Sequence, residues 1–246
     1  MEAEGISFEM LFDTLASFRD LRVHVVGDTI VDSYTYCTLI GGNAKTPTFS
    51  VKYQRQVDFS GGAAVVSKHI RAAGAQVHFS TVMGKDELKQ FVLDDLNREG
   101  IECQVSLDPT RPTTQKNVYI ASEYRMLKVD KVDNRPVSEK VLEDLKSSLV
   151  SGTADAFVFS DFRHGIFNRE TIPELTQCLP QGALRIADSQ VASRWGNILE
   201  FEQFDLITPN ESDVRVSVGD QESVVRPLAL DLYKSCLLYT SDAADE

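Results

Sequence analysis

No apolar run in this sequence approaches the ~20 residues that a bilayer-spanning helix requires. The start, Met1-Glu2-Ala3-Glu4, is acidic and leads into an amphipathic stretch, unlike a basic, apolar secretory signal. Basic residues are scarce: 25 Lys and Arg stand against 37 Asp and Glu in 246 residues, a net charge of −12. A basic nucleic-acid footprint is therefore missing as a global property, and adhesion to an anionic membrane is disfavoured. An anionic small molecule stays open, because a local cation cluster can outweigh the net field. The four cysteines, Cys37, Cys103, Cys178 and Cys236, lie far apart without a CxxC. That pattern gives neither a disulfide framework nor a zinc site and fits a reducing, cytoplasmic setting. The glycine fingerprints GxGxxG and GxxxxGK[ST] are missing too, which counts against a Rossmann dinucleotide site and a P-loop.

What is present is a folded-domain composition, 42% hydrophobic and 25% charged. Apolar positions 6, 8, 11, 12, 15 and 18 make one helical stripe. Short apolar strands are predicted at 22–27, 77–82, 102–106, 156–161, 184–188 and 204–209. Helices are predicted at 61–73, 86–99, 138–150 (with Ser138 as N-cap), about 169–179, from 210, and over 222–234. This alternation predicts right-handed crossovers and a mostly parallel sheet. Two Tyr/Val-rich regions break it: 34–57, with Gly41-Gly42-Asn43 as a turn and Pro47 as a breaker, and 116–131, folded about Ser122-Glu123. They read as a small separate β-sheet.

Ligands of open α/β sheets bind at the carboxyl ends of strands. Here those ends carry Asp28 with Asp32 four residues on, Asp161, Asp188, and Pro209-Asn210. Each Asp alone is also a common cap or turn residue. As a set they favour a convergent site. Gly61-Gly62 opens a helix, where backbone can approach a ligand and N–H groups are free; a tight strand-to-helix turn would use the same residues. Asn210-x-x-Asp213 offers an amide and a carboxylate to Mg²⁺ or phosphates, or an ordinary cap. Arg163 and His164 could face a phosphate, although His164 also suits a surface. His24 and His78 sit in strand patterns. Lys45, Lys52, Arg55, Lys116, Arg125 and Lys128 read as solvated strand edges, a minority of them facing substrate.

The segments GDTIVD (27–32), SGGAAVV (60–66), RAAGAQV (71–77), the run 81–103, RPTTQKNVYI (111–120), FSDFRHG (159–165) and LITPNESD (206–213) occur in order over about 20–220. Together they resemble the ribokinase-like (PfkB) carbohydrate kinases, and most of all the sugar-kinase half of bifunctional enzymes making nucleotide-activated heptose. The resemblance implies a three-layer α/β/α sandwich, mostly parallel, with 34–57 and 116–131 as a β-lid. It implies ATP-dependent phosphorylation of a sugar or sugar phosphate with Mg²⁺. Asp32, Gly61, Gly62 and Asp161 would then hold sugar hydroxyls, since carboxylates accept hydrogen bonds from vicinal diols. Arg163 and His164 would lie at the same substrate site. Asn210, Asp213 and Asp188 would lie on the nucleotide and Mg²⁺-phosphate side, with Asp213 reaching metal through water because it is one methylene shorter than the family's Glu. A homodimer through the lid is also implied, with Tyr34, Tyr36, Phe49 and Tyr53 as contacts or as lid core.

The sequence departs from that family at Val65 (usually Asn), at His164 (usually Lys) and at Asp188-Ser189-Gln190 (usually Asp-Pro-Lys). The substrate is therefore expected to differ from the heptose phosphate of near relatives. The family's Gly-Ala-Gly-Asp element, which supplies the anion hole and catalytic base, is not found in the 246 residues. Residues 236–246 (CLLYTSDAADE) resemble a translated sequencing adapter, so the kinase domain is expected to span 1–235 with its C-terminal part missing. The reading is a carbohydrate kinase fragment without its base and hence inactive. The alternative is a non-catalytic sugar- or sugar-phosphate-binding protein of the same fold.

Overall fold

The computed structural model describes residues 5–42, 48–190 and 198–235. The chain opens with α1 (Phe8–Ser17), β1 (Arg22–Gly27), β2 (Thr29–Gly42), β3 (Phe49–Gly62) and α2 (Ala63–Ala72). It continues through β4 (Gln76–Met83), α3 (Glu87–Arg98), β5 (Glu102–Leu107), β6 (Thr114–Ala121), β7 (Tyr124–Lys131) and α4 (Glu139–Ser151). Then follow β8 (Ala156–Asp161), α5 (Thr171–Gln177), β9 (Leu184–Ser189), β10 (Leu206–Ile207), α6 (Glu211–Val218) and α7 (Val225–Ser235).

Six strands form one sheet in the order β10-β9-β8-β1-β4-β5, every pair parallel. The central strands β1 and β8 bury both faces and are largely apolar, whereas the outer β5 and β9 are more polar and partly exposed. On one face Val23, Val25 and Phe79 pack against Ala63, Ala64, Val92 and Leu96 of α2 and α3. On the other, Val26, Phe157 and Phe159 meet Leu145 and Leu149 of α4 and Ile172 and Leu175 of α5. The result is the expected α/β/α sandwich. A second, four-stranded sheet, β3-β2-β6-β7, stands apart as the lid. Its β6–β7 turn is Ser122-Glu123, both residues at positive φ (50° and 70°), as a two-residue hairpin favours.

Several predicted boundaries move. The first lid hairpin spans 29–62, not 34–57, because Thr29 and Ile30 already pair with Gly62 and Gly61. The strand predicted at 204–209 shrinks to two residues, since the Asp205 carboxylate accepts the Arg185 amide hydrogen at 2.7 Å and Pro209 lacks an N–H. The last helix begins at Val225, because the Asp220 carboxylate ties up the Glu222 and Ser223 amides in a turn. Helix α1 forms on its Ser7 cap, but none of its residues is buried. Asn43, Lys45, Pro47 and the tail 236–246 lie outside the described residues. Among the described residues no helix is long and apolar enough to cross a membrane.

Against α4 the sheet buries a polar chain. His24 Nε2 lies 2.8 Å from Ser80 Oγ, which in turn bonds Ser148 Oγ. Burial, helped by the neighbouring His78, lowers the His24 imidazole to about 3. The unfolded imidazole titrates near 6.5, so on acidification the unfolded chain takes a proton that the folded chain refuses. This term is neutral above pH 6.5 and destabilises progressively below it, by up to about 1.4 kcal/mol per pH unit. Urea midpoints from pH 7.5 to 4.5 should fall steeply for the wild type and less steeply for His24→Phe; equal slopes would refute the assignment.

Candidate functional site

Strands β1 and β8 are adjacent, and each leaves the sheet with an aspartate: Asp28 is 3% exposed and Asp161 is 1% exposed. Two carboxylates withdrawn from water must be solvated by the protein. The loop after β8 does this. Asp28 Oδ2 accepts the amide hydrogens of Phe162 (2.8 Å) and His164 (3.2 Å). Asp161 Oδ1 accepts the Arg163 amide at 2.7 Å, and Asp161 Oδ2 accepts the Ser189 hydroxyl at 2.8 Å. Burial raises the pKa of both carboxyls, and the charge of Asp28 raises Asp161 further.

Arg163 folds back into this cluster. Its Nε lies 3.0 Å from Asp161 Oδ2, its guanidinium reaches Glu200 at 3.3 Å, and it donates to Ser189 Oγ at 3.2 Å. The backbone of Arg163 pays for this with φ of 59°, a left-handed conformation sustained only by converging contacts. Asp161 and Arg163, both expected to face a ligand, thus spend their charges on each other and on the loop. Ser189, in place of the family's proline, is a member of the same network.

Asp32 belongs to the lid, not to a loop. In β2 its register partners are Phe59 of β3 and Lys116 of β6, and Lys116 is paired in turn with Asp130 of β7. A charged row therefore crosses the lid. Burial raises the pKa of the half-buried Asp32, while Lys116 and Lys128 pull it down and Asp130 pushes it up. The same Lys116 and Asp130 act on His164. The lid row and the β8 loop consequently share one electrostatic neighbourhood. Gly61 makes room for the carboxylate: a Cβ there would stand 2.1 Å from Asp32 Oδ2. Gly62 adopts φ of 60° at the N-cap of α2, with its own Cβ position blocked by the Asp28 carbonyl at 2.4 Å.

His164 is placed between loop and lid. Its Nδ1 lies 2.8 Å from Asn134 Oδ1, while its Nε2 is buried without a hydrogen-bond partner. Burial, then Lys116, lowers the ring to about 4, so it is neutral near pH 7.

Asn210 and Asp213 sit at the start of α6, three strands along the same carboxyl edge from Asp28. They form a reciprocal capping box: Asn210 Oδ1 accepts the Asp213 amide and Asp213 Oδ2 accepts the Asn210 amide. Asp213 is buried there, and Asp188 accepts the Thr208 hydroxyl at 2.8 Å. Among the described residues no three His, Cys, Asp or Glu side chains converge on a metal-sized position. The capping box does not fit a protein-held metal site.

Sequence reasoning missed Arg111. This buried side chain pairs with Asp108 at 2.8 Å and donates to the carbonyls of His164, Arg135 and Pro136 at 3.0–3.1 Å. It clamps the 133–136 segment to the β8 loop. Its position before Pro112-Thr113, in a motif quoted for its resemblance alone, was the available signal. Asn134 carried none.

A family model described as "pfkB family carbohydrate kinase" matches residues 20–235. The chain is 26% identical over 214 residues to the bifunctional protein HldE of Caulobacter vibrioides, covering 84% of this chain and 42% of that protein. It is 28% identical over 227 residues to the D-beta-D-heptose 7-phosphate kinase of Bordetella bronchiseptica, covering 89% and 70%. The chain thus spans about half the length of most of these relatives. Among solved structures, a tetrameric inhibited form of phosphofructokinase-2 from Escherichia coli superposes with a TM-score of 0.68 at 17% identity, covering 88% of this chain and 71% of that one. Ribokinase from Giardia lamblia does so with 0.64 at 16%, covering 88% and 71%. A six-stranded parallel sheet with a four-stranded lid is joined by a family match over residues 20–235: the protein belongs to the pfkB family of carbohydrate kinases.

Proposed function

We propose that the site binds a sugar or sugar phosphate between the lid row and the β8 loop, in a protein whose complete form transfers a phosphoryl group to it from ATP. The observation that carries this is the Asp32 carboxylate, half-buried and seated on Gly61 in the lid, facing the same charges as His164. A carboxylate so placed accepts two hydroxyl hydrogens at fixed spacing. Asp161 and Arg163 act from beneath as positioning residues, holding the loop that carries His164. The Gly61-Gly62 turn lets a ligand approach the start of α2, where the first amide, that of Ala63, is already held by the Asp28 carbonyl at 2.9 Å. Asn210, Asp213 and Asp188 mark the nucleotide side, where Mg²⁺ would arrive with ATP. The cysteines described as free, Cys37, Cys103 and Cys178, suit the reducing cytoplasm where ATP is found.

Titration calorimetry of this chain with a panel of hexoses, heptoses and their phosphates tests the reading. Asp32→Asn should weaken the best ligand about ten- to a hundredfold, the range for a hydrogen bond to a charged group. Gly61→Ala should cost a similar factor, and the double variant little more, because both act on one carboxylate. Affinity should also fall as the pH drops through the raised pKa of Asp32. Full wild-type affinity in both single variants would remove Asp32 from the site.

Turnover is a separate matter. Transfer requires a base to take the hydroxyl proton and donors for the moving phosphoryl. Asp28 and Asp161 are committed to internal bonds, and the family's Gly-Ala-Gly-Asp element is not in this sequence. The 246-residue chain should therefore bind sugar without forming ADP. Robust sugar-dependent ADP release would overturn this, and sugar binding without turnover in a chain extended to include that element would favour the non-catalytic alternative.

We also infer self-association through the lid, on the face that carries Tyr53 rather than the one that carries Tyr34 and Tyr36. Tyr34 and Tyr36 share the side of Asp32, where Tyr34 meets Phe59 and Tyr36 lies under Arg55. Tyr53 pairs with Cys37 on the opposite side, which also presents Tyr124, Leu127 and Val129, all exposed. Leu127→Glu with Tyr53→Lys should convert a dimer to a monomer by analytical ultracentrifugation with little change in melting temperature; a monomeric wild type would end the inference.

A further inference from the structure

The imidazole of His164 has two nitrogens in different circumstances. Nδ1 lies 2.8 Å from the side-chain carbonyl of Asn134, and an amide oxygen can only accept. Nδ1 therefore carries the hydrogen, and in the neutral ring Nε2 carries a lone pair. That lone pair is buried and has no partner in the protein. The groups around it are fixed by the fold. Below, the His164 amide is held by Asp28, and its carbonyl by Arg111. Above, the lid brings Lys116 and Asp130, the same residues that flank Asp32.

A buried acceptor without a donor is costly, so it persists where a partner arrives during function. An anion is a poor partner, because a lone pair repels phosphate oxygens. A protonated ring would attract them, but burial and Lys116 oppose protonation. A hydroxyl suits the position, since it can donate its hydrogen to the Nε2 lone pair.

We propose that His164 is a specificity-determining residue whose Nε2 accepts a hydrogen bond from a hydroxyl of the bound sugar, and that it keeps phosphate away from that position. This rests on the sugar-site reading above, and its test separates the two. The best ligand of the hexose and heptose panel is titrated into wild type, His164→Leu and His164→Gln, and melting temperatures are measured without ligand. Leu should lose roughly ten- to a hundredfold in affinity, and Gln, which retains an acceptor, should recover part of it. A deoxy analogue lacking the contacted hydroxyl should bind wild type as weakly as it binds the Leu variant. The ligand-free Leu variant should melt close to the wild-type temperature, because removal of the unsatisfied Nε2 acceptor offsets loss of the Nδ1–Asn134 bond. His164→Lys should instead gain affinity for phosphorylated sugars over their parent sugars.

Unchanged affinity in His164→Leu, with binding still lost in Asp32→Asn, overturns this inference and leaves the sugar site standing. A ligand-free melting loss equal to that of Lys116→Met, and not additive with it, overturns it as well, because Lys116 would then be the partner of Nε2 in the free protein. Absence of carbohydrate binding by the wild type removes both.

Discussion

Two aspartates buried side by side at the ends of β1 and β8 set the terms for everything at this edge of the sheet. Neither can be left unsolvated, and water does not reach them. The backbone of residues 162–166 is drawn over them, so its amide hydrogens point down into the carboxylates rather than outward. That arrangement goes with a left-handed Arg163 and leaves the next residue, His164, within the electrostatic reach of Lys116 and Asp130 of the lid. The loop is thus shaped by electrostatic need beneath it, and what it presents above follows.

The lid obeys a different constraint. It is a sheet with solvent on much of its surface, and its inward row is set by register alone. Asp32, Lys116 and Asp130 are aligned because β2 pairs in parallel with β6 and β6 antiparallel with β7. A slip of one residue would turn the whole row outward. The continuation of β2 down to Thr29, and of β3 up to Gly62, ties the lid to β1 and α2 without an intervening loop. Asp28 and Asp32, four residues apart, are consequently anchored in two different sheets. Arg111 supplies the third tie by clamping the segment after β7 to the loop after β8.

Much of this was readable in one dimension. Alternating apolar strands and capped helices predicted the parallel sandwich, since periodicity and capping are local properties. The Ser138 cap and the Ser122-Glu123 turn fell where expected. Boundaries failed where side chains replaced backbone partners, as at Asp205 and Asp220. Among the proposed site residues, Asp32 and the Gly61-Gly62 pair were readable as candidates only as members of a set, because an acid after a strand or paired glycines before a helix also make ordinary caps and turns. Arg163 was legible as a charge but not as a buried one, because no local pattern says that Ser189 and Glu200 would close around it.

The sequence by itself determined the class of fold, the presence of a lid and the family, because these depend on the order of elements and on short motifs. Only the tertiary structure decided which charges are spent and which remain available. Burial, register and long-range pairing settle whether a carboxylate solvates its own loop, as Asp161 does, or sits against a glycine on a lid strand, as Asp32 does. Those are contacts between residues as much as 136 positions apart, and no spacing in the chain encodes them.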